Sequence, residues 1–150
     1  MNLSVVIPII NEQNSLEELV SSISSVINKI NLNYEKILID DGSTDKSWEV
    51  ISKLSALDQN IKGIRFLKNF GKSQALSAGF KASKGEVIIT MDADLQDDPK
   101  EIPELYNKIA IENFDLVSGW KKVRYDSILF KNIPSKIFNL AARITSGIKL

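Results

Sequence analysis

The sequence predicts an α/β domain: a mostly parallel sheet with helices on both faces. Short apolar runs rich in branched residues alternate with segments whose apolar residues recur at helical spacing, the pattern of repeated strand–helix–strand units. The first of these runs is continuously apolar rather than alternating, as a strand covered on both faces has to be. Each run also ends in a cluster of polar and turn-forming residues.

Leu3 to Ile10 (LSVVIPII) reads as the first strand, and Asn11 to Ser15 supplies turn and capping residues. Leu16, Leu19, Val20, Ile23, Ile27 and Ile30 share one helical face, so Ser15 to about Lys29 is an amphipathic helix. Glu35 to Asp40 is the second strand; Asp41-Gly42-Ser43-Thr44-Asp45 is a turn and helix cap, and Val50, Ile51, Leu54 and Leu57 mark the next helix. Ile61 to Leu67 is a third strand, and Lys72 to about Ser83 a third helix, closed by Gly85. Val87 to Met91 is the fourth strand, and Pro99 and Pro103 open a helix carrying Ile102, Leu105, Tyr106 and Ile109. Leu116 to Trp120 reads as a fifth strand. Trp48 is expected in the core. No internal repeat, low-complexity stretch or linker interrupts the series.

Composition excludes several chemistries. The chain has 150 residues, 43% hydrophobic and 25% charged, which suits one soluble globular domain. It has no cysteine and no histidine, which removes disulfides, thiolate metal sites, cysteine nucleophiles and the commonest general base. Any metal must therefore be held by oxygen, favouring magnesium, manganese or calcium over zinc or copper. No run approaches the roughly 20 apolar residues of a membrane span, and the N-terminus lacks the build of a signal peptide. The expectation is a soluble chain with no export signal.

In a parallel sheet, ligands bind outside the carboxyl ends of the strands. Those ends carry Pro8, Asn11 and Glu12; Asp40, Asp41 and Ser43; Asn69, Gly71 and Lys72; and Asp92, Asp94 and Gln96. Polar residues thus gather on one rim. Asp92, Asp94, Asp97 and Asp98 follow directly on the fourth strand, and like charges so close call for a positive partner.

Common nucleotide motifs fail against this rim. Gly71-Lys72-Ser73 looks like the tail of a P-loop, but the motif's first glycine falls at Phe66. No G-x-G-x-x-G is present. A receiver-type aspartate cluster needs its acidic pair after the first strand, and here Asp40-Asp41 follows the second.

The set Pro8-x-x-Asn11-Glu12, Asp40-Asp41-Gly42-Ser43-Thr44-Asp45, Asn69-x-Gly71-Lys72 and Met91-Asp92-Ala93-Asp94-Leu95-Gln96 resembles the family 2 glycosyltransferases with the GT-A fold. Within them it most resembles the polyprenyl-phosphate branch, the dolichyl-phosphate mannosyltransferase-like and undecaprenyl-phosphate sugar transferases. Asp97-Asp98-Pro99 after the D-x-D-L-Q motif, and Ser118-Gly119-Trp120-Lys121-Lys122-x-Arg124-x-Asp126, carry the same likeness over essentially the whole chain.

The resemblance implies a catalytic domain that moves a sugar, with inversion, from a UDP- or GDP-linked nucleoside-diphosphate sugar to a polyprenyl phosphate. It also implies a Mg²⁺ or Mn²⁺ ion held against the diphosphate by the D-x-D, with Asp94 and Gln96 as ligands and Asp92 reaching sugar, ribose or metal. Asp92 and Asp94 are the catalytic candidates. Pro8, Asn11, Glu12, Asp40, Asp41, Lys72, Asp92, Ala93 and Asp94 are the candidate nucleotide-sugar site. For Asp41 to Asp45 a turn-and-cap role stands beside binding, and Asp98 reads better as the cap of the next helix. The open alternative is a family 2 transferase acting on a hydroxyl acceptor in cell-wall or polysaccharide synthesis. A phosphate acceptor, with a second pKa of about 6, is already an oxyanion at neutral pH and needs no histidine base. No nucleic-acid partner is expected.

The net charge of zero hides an asymmetry. Residues 121–150 carry Lys121, Lys122, Arg124, Lys131, Lys136, Arg143 and Lys149 against Asp126 alone, a balance of +6, which leaves −6 on residues 1–120. We read residues 1–120 as the nucleotide-sugar-binding half and 121–150 as a basic, membrane-proximal segment of the same domain. There Lys121, Lys122 and Arg124 are candidates for the acceptor phosphate, and a solvated tail is the plainer alternative. Ser135 to Ser146 reads as an amphipathic helix with nothing after it to cover its apolar face, so the chain is expected to be a catalytic domain cut short. An intact protein at the cytoplasmic face of a membrane follows as an expectation.

Overall fold

The computed structural model describes residues 1–119. In chain order the elements are β1 (Leu3–Ile9), α1 (Leu16–Lys29), β2 (Tyr34–Asp40), α2 (Ser47–Leu57), β3 (Ile61–Arg65), α3 (Lys72–Ala82), β4 (Val87–Thr90), a 3₁₀ turn (Pro99–Glu101) and α4 (Ile102–Ala110). Met1–Val117 form one compact unit.

The four strands are all parallel, in the order β3-β2-β1-β4. The first two connections step outward from β1, and the third steps back past it. A right-handed crossover puts its helix on one face when stepping one way and on the other when stepping back. The packing agrees. Leu3, Val5, Ile7, Ile9 and Leu38 form a buried cluster with residues of α1, α2 and α4. Val6, Ile37 and Ile39 pack instead with Ala75 of α3. Side chains alternate faces along a strand, so each central strand feeds both layers. This is why β2 is buried at every position, whereas the edge strand β3 is fully buried only at Ile61.

Two features show how closely the layers approach. A Cβ on Gly79 of α3 would stand 2.3 Å from Val6 Cγ1, so only glycine lets α3 rest on β1 there. Lys36 is wholly buried, and its ammonium donates to Asp58 Oδ2 at 3.0 Å and to Ser24 Oγ at 2.5 Å. Nearby in β2, Glu35 accepts from Ser4 Oγ at 2.7 Å, the Lys84 amide at 2.6 Å and the Lys62 ammonium at 2.5 Å. These polar groups lock the amino-terminal end of the sheet, opposite the rim.

The structure corrects several boundaries. β1 stops at Ile9 and β3 at Arg65; Leu67 is fully exposed. Gly85 does not close α3, which ends at Ala82 with Ser83 extended. Its role is close approach, since a Cβ on it would meet the Ser4 amide nitrogen at 2.4 Å. Leu116 to Gly119 do not form a strand: Leu116 is 85% exposed, and a strand needs a neighbour to pair with that these residues lack among those described. Trp48 is half-buried against the larger core cluster, with the Arg65 guanidinium 5.5 Å from its ring centre. The helix expected at Ser135 to Ser146 lies outside the described residues.

Candidate functional site

β1 is where the strand order reverses, and the cleft opens between the carboxyl ends of β1 and β4, the position general to open α/β sheets. It encloses about 280 Å³ and is lined by Pro8, Ile9, Ile10, Glu12, Asp41, Asn69, Gly71, Lys72, Asp92, Ala93 and Asp94. Seven of the nine residues expected to bind a nucleotide sugar therefore meet in one cavity. Asn69 and Gly71 belong to the rim read from the sequence. Ile9 and Ile10 were missed, although their place just before Asn11 was a signal that they border it.

Asp40 and Asn11 are off the cleft. Neighbouring side chains on a strand face opposite ways, so Asp40 and Asp41 cannot both turn the same way. Asp40 is fully buried; its Oδ1 accepts from the Ser43 amide at 2.9 Å, and its Oδ2, without a hydrogen-bond partner, stands 3.5 Å from Arg65 Nε. Asp41 turns toward the β3–α3 loop and accepts the amides of Phe70 at 2.8 Å and Gly71 at 2.9 Å. It thus borders the cavity and holds in place the loop that forms another wall. Gly42, at φ 74°, lets this turn pass the same loop: a Cβ there would meet Lys68 C at 2.4 Å.

Asn11, at φ 57°, ties the β1–α1 loop to the β2–α2 loop. Its amide donates to Ser43 Oγ at 2.9 Å and its Oδ1 accepts the Thr44 amide at 2.8 Å. Asp45 continues the seam, accepting from the amides of Ser47 at 2.9 Å and Gln13 at 3.2 Å. Burial pushes the Asp45 carboxyl up, but hydrogen bonds from Ser47 and Gln13 outweigh it and hold the pKa below the usual range. Of the turn-and-cap reading of residues 41–45, the turn holds for Asp45, which accepts the Ser47 amide; the N-cap position of α2 is Lys46, with no side-chain cap bond.

The four clustered aspartates mostly fold their own loop. Asp97 accepts the Asp92 amide at 2.9 Å, Asp94 the Gln96 amide at 3.0 Å, and Asp98 caps the 3₁₀ turn through the Lys100 amide at 3.0 Å. Leu95, at φ 61°, turns the chain, and Gln96 is exposed and does not line the cavity. The positive charge the cluster calls for is Lys72, whose ammonium donates to Asp92 Oδ1. Lys72 is also the one cation among the lining residues, against Glu12, Asp41, Asp92 and Asp94.

The donor set fits a hard divalent cation in one specific way. Among the described residues no three carboxylates converge into a metal cage. Asp92 and Asp94 offer oxygens on one corner of the cleft, and magnesium characteristically takes one or two carboxylates and completes its shell with water and substrate phosphate. Lys121, Lys122 and Arg124 lie outside the described residues.

Fold and cleft together have the GT-A architecture: a parallel sheet whose switch-point cavity is lined by a D-x-D and a helix-initiating lysine. The family assignment follows. A sequence model of glycosyl transferase family 2 matches residues 4–148, and the chain belongs to that family. It is 39% identical over 148 residues to an undecaprenyl-phosphate 4-deoxy-4-formamido-L-arabinose transferase of Aeromonas hydrophila, covering 98% of this chain and 45% of that protein. It is 45% identical over 145 residues to a Salmonella choleraesuis protein of the same name, covering 96% of this chain and 44% of that one. The chain thus spans less than half the length of these relatives. Among solved structures, a Pyrobaculum calidifontis mannosyltransferase in complex with GDP-Man and Mn²⁺ superposes with a TM-score of 0.63 at 20% identity, over 73% of this chain and 32% of that one. S. aureus TarS 1-349 in complex with UDP-GlcNAc gives 0.65 at 21%, over 87% and 38%. At these identities the likeness is one of fold.

Proposed function

We propose that the intact protein transfers a sugar from a nucleoside-diphosphate sugar to a polyprenyl phosphate, with inversion at the anomeric carbon, at the cytoplasmic face of a membrane. The observation that carries this reading is the convergence of Asp92, Asp94 and Lys72 on the cavity between β1 and β4. The similarity to proteins named as undecaprenyl-phosphate transferases supports the acceptor class.

In this reading the walls bind and orient the donor. Pro8, Ile9 and Ile10 give an apolar side on which a flat base can rest, and Glu12 and Asn69 offer polar groups to base or ribose. Lys72, the first residue of α3, offers an ammonium to the diphosphate, and the helix start adds partial positive charge. Asp92 and Asp94 would hold Mg²⁺ or Mn²⁺, which when bound neutralises charge on the diphosphate as the nucleotide leaves. Lys121, Lys122 and Arg124 would hold the acceptor phosphate. That phosphate is its own nucleophile, so the chain needs no histidine base.

Transfer from labelled nucleotide sugars tests the reading directly, comparing polyprenyl phosphate in vesicles with free sugar hydroxyl acceptors. The expected product is a polyprenyl-phosphate sugar. Transfer to the hydroxyl acceptor alone would overturn it and favour the cell-wall alternative.

A further inference from the structure

The pairing of Lys72 with Asp92 has a consequence beyond binding. The cavity is lined by four carboxylates and one ammonium, and that ammonium is already engaged by a carboxylate of the cation corner. Both partners are accessible to ligand: the Lys72 side chain is 58% exposed and that of Asp92 40%. The two come from separate elements, the start of α3 and the end of β4, and no backbone amide takes part in the contact.

We infer that Lys72 is an internal counter-ion that couples cation binding to nucleotide binding: it pairs with Asp92, and gives it up to a divalent cation as its ammonium passes to the diphosphate. This rests on the proposed function, since it takes the cleft to receive a metal and a nucleoside diphosphate together.

The two ligands share one electrostatic cost. A cation arriving alone must displace Lys72 from Asp92 and leave an ammonium beside itself without an anion. A diphosphate arriving alone must draw Lys72 away and enter a cleft whose other charges are all negative. When both arrive, the pair is broken once: the cation takes Asp92 and the ammonium takes the phosphate. Each ligand therefore lowers the cost of the other, and linkage makes the effect equal in both directions. A side-chain ion pair this exposed is weak enough to exchange and strong enough to matter, a factor of about two to five in an equilibrium constant.

The test uses the full chain and its Lys72→Met and Lys72→Arg variants, with free Mn²⁺ read by electron paramagnetic resonance and nucleotide binding by calorimetry. The coupling factor is the ratio of Mn²⁺ affinities with and without saturating UDP or GDP. In Lys72→Met, Mn²⁺ alone should bind about two- to fivefold tighter, and the coupling factor should fall by about the same factor. Lys72→Arg keeps the cation and should keep most of the coupling. A rise in Mn²⁺ affinity that is equal with and without nucleotide would mean simple local charge and overturn the inference. So would a loss of coupling in Lys72→Arg as large as in Lys72→Met. If the unmodified protein binds neither UDP nor GDP in the presence of Mn²⁺, the proposed function fails and takes this inference with it. Nucleotide and Mn²⁺ bound normally, with coupling unchanged in Lys72→Met, removes the inference alone.

Discussion

Replacing Asp41 by alanine separates scaffolding from binding more sharply than any other change at this rim. The side chain is 4% exposed and its two oxygens accept the amides of Phe70 and Gly71. Hydrogen bonds to a charged group contribute about 1.5–3 kcal/mol each. The two amides are not equally dependent on Asp41, because Gly71 also donates to Asn69 Oδ1 at 2.9 Å and so keeps a partner. The loss is therefore one full bond and part of another, and we expect Asp41→Ala to destabilise the protein by about 2–4 kcal/mol. Asp41→Asn keeps one acceptor oxygen and should cost about half as much. Denaturant unfolding measures both. Because the loop carries Asn69, Gly71 and Lys72, its release should also weaken nucleoside-diphosphate binding with metal left out, read by calorimetry on folded protein. Unchanged unfolding in Asp41→Ala would refute the scaffolding argument. Unchanged nucleotide affinity beside lower stability would refute the view that the loop shapes the site.

Two other predictions follow from the same geometry. Asp94 is exposed and meets its neighbours through the Gln96 amide, which an asparagine can also satisfy; Asp94→Asn should leave unfolding unchanged and abolish the gain in UDP or GDP affinity on adding Mn²⁺, measured by calorimetry. Equal enhancement in variant and parent would remove Asp94 from the cation site. For pH, burial pushes the carboxyls of Glu35, Asp45 and Asp58 up, but their hydrogen bonds, and for Glu35 and Asp58 a lysine charge, hold all three below their ordinary values. A depressed carboxylate stabilises fully above its unfolded pKa of about 4 and loses that contribution as pH falls through the folded value. Thermal midpoints should therefore hold steady above about pH 5 and fall below about pH 4, and a Glu35→Gln variant should show a shallower fall.

The fold was legible because its signals are local. Continuous apolar runs gave four strands and helical spacing gave four helices, with most boundaries within two residues. Where the reading overshot, a tertiary fact decided. Leu67 looks like strand, but β3 is an edge and the chain leaves the ladder after Arg65. Leu116 to Gly119 look like strand, but pairing needs a neighbour that the four apolar-rich residues cannot specify by themselves. The site was legible as a rim and less so as a set of roles. Asp40 and Asp41 are adjacent in sequence and opposite in direction, a consequence of strand geometry that motif matching ignores. Asn11, Asp45 and Asp97 are polar residues at the right place whose atoms go to backbone amides, and nothing in their identity distinguishes that from ligand binding.

The hydrogen bonds also explain why so many polar residues surround so small a site. Loops at a sheet end leave amides unsatisfied, and each needs a partner once it is packed against another loop. Here the β1–α1 and β2–α2 loops are stitched by Asn11, Gln13, Ser43, Asp45 and Ser47, with amides donating across the seam in both directions. Asp41 fastens the β3–α3 loop to the β2 end in the same way. Three walls of the cavity are thus set by side chain-to-backbone bonds that a ligand cannot exchange without unfolding a loop. The loop after β4 meets the start of α3 differently, through the side-chain ion pair of Asp92 and Lys72. An ion pair between two exposed side chains has partners that a cation and a diphosphate can replace in kind. Rigid walls lower the ordering cost of binding, and an exchangeable contact gives the ligands something to displace. In the proposed function, the division between the two kinds of contact would turn a cluster of like charges into a site that favours cation and nucleotide together.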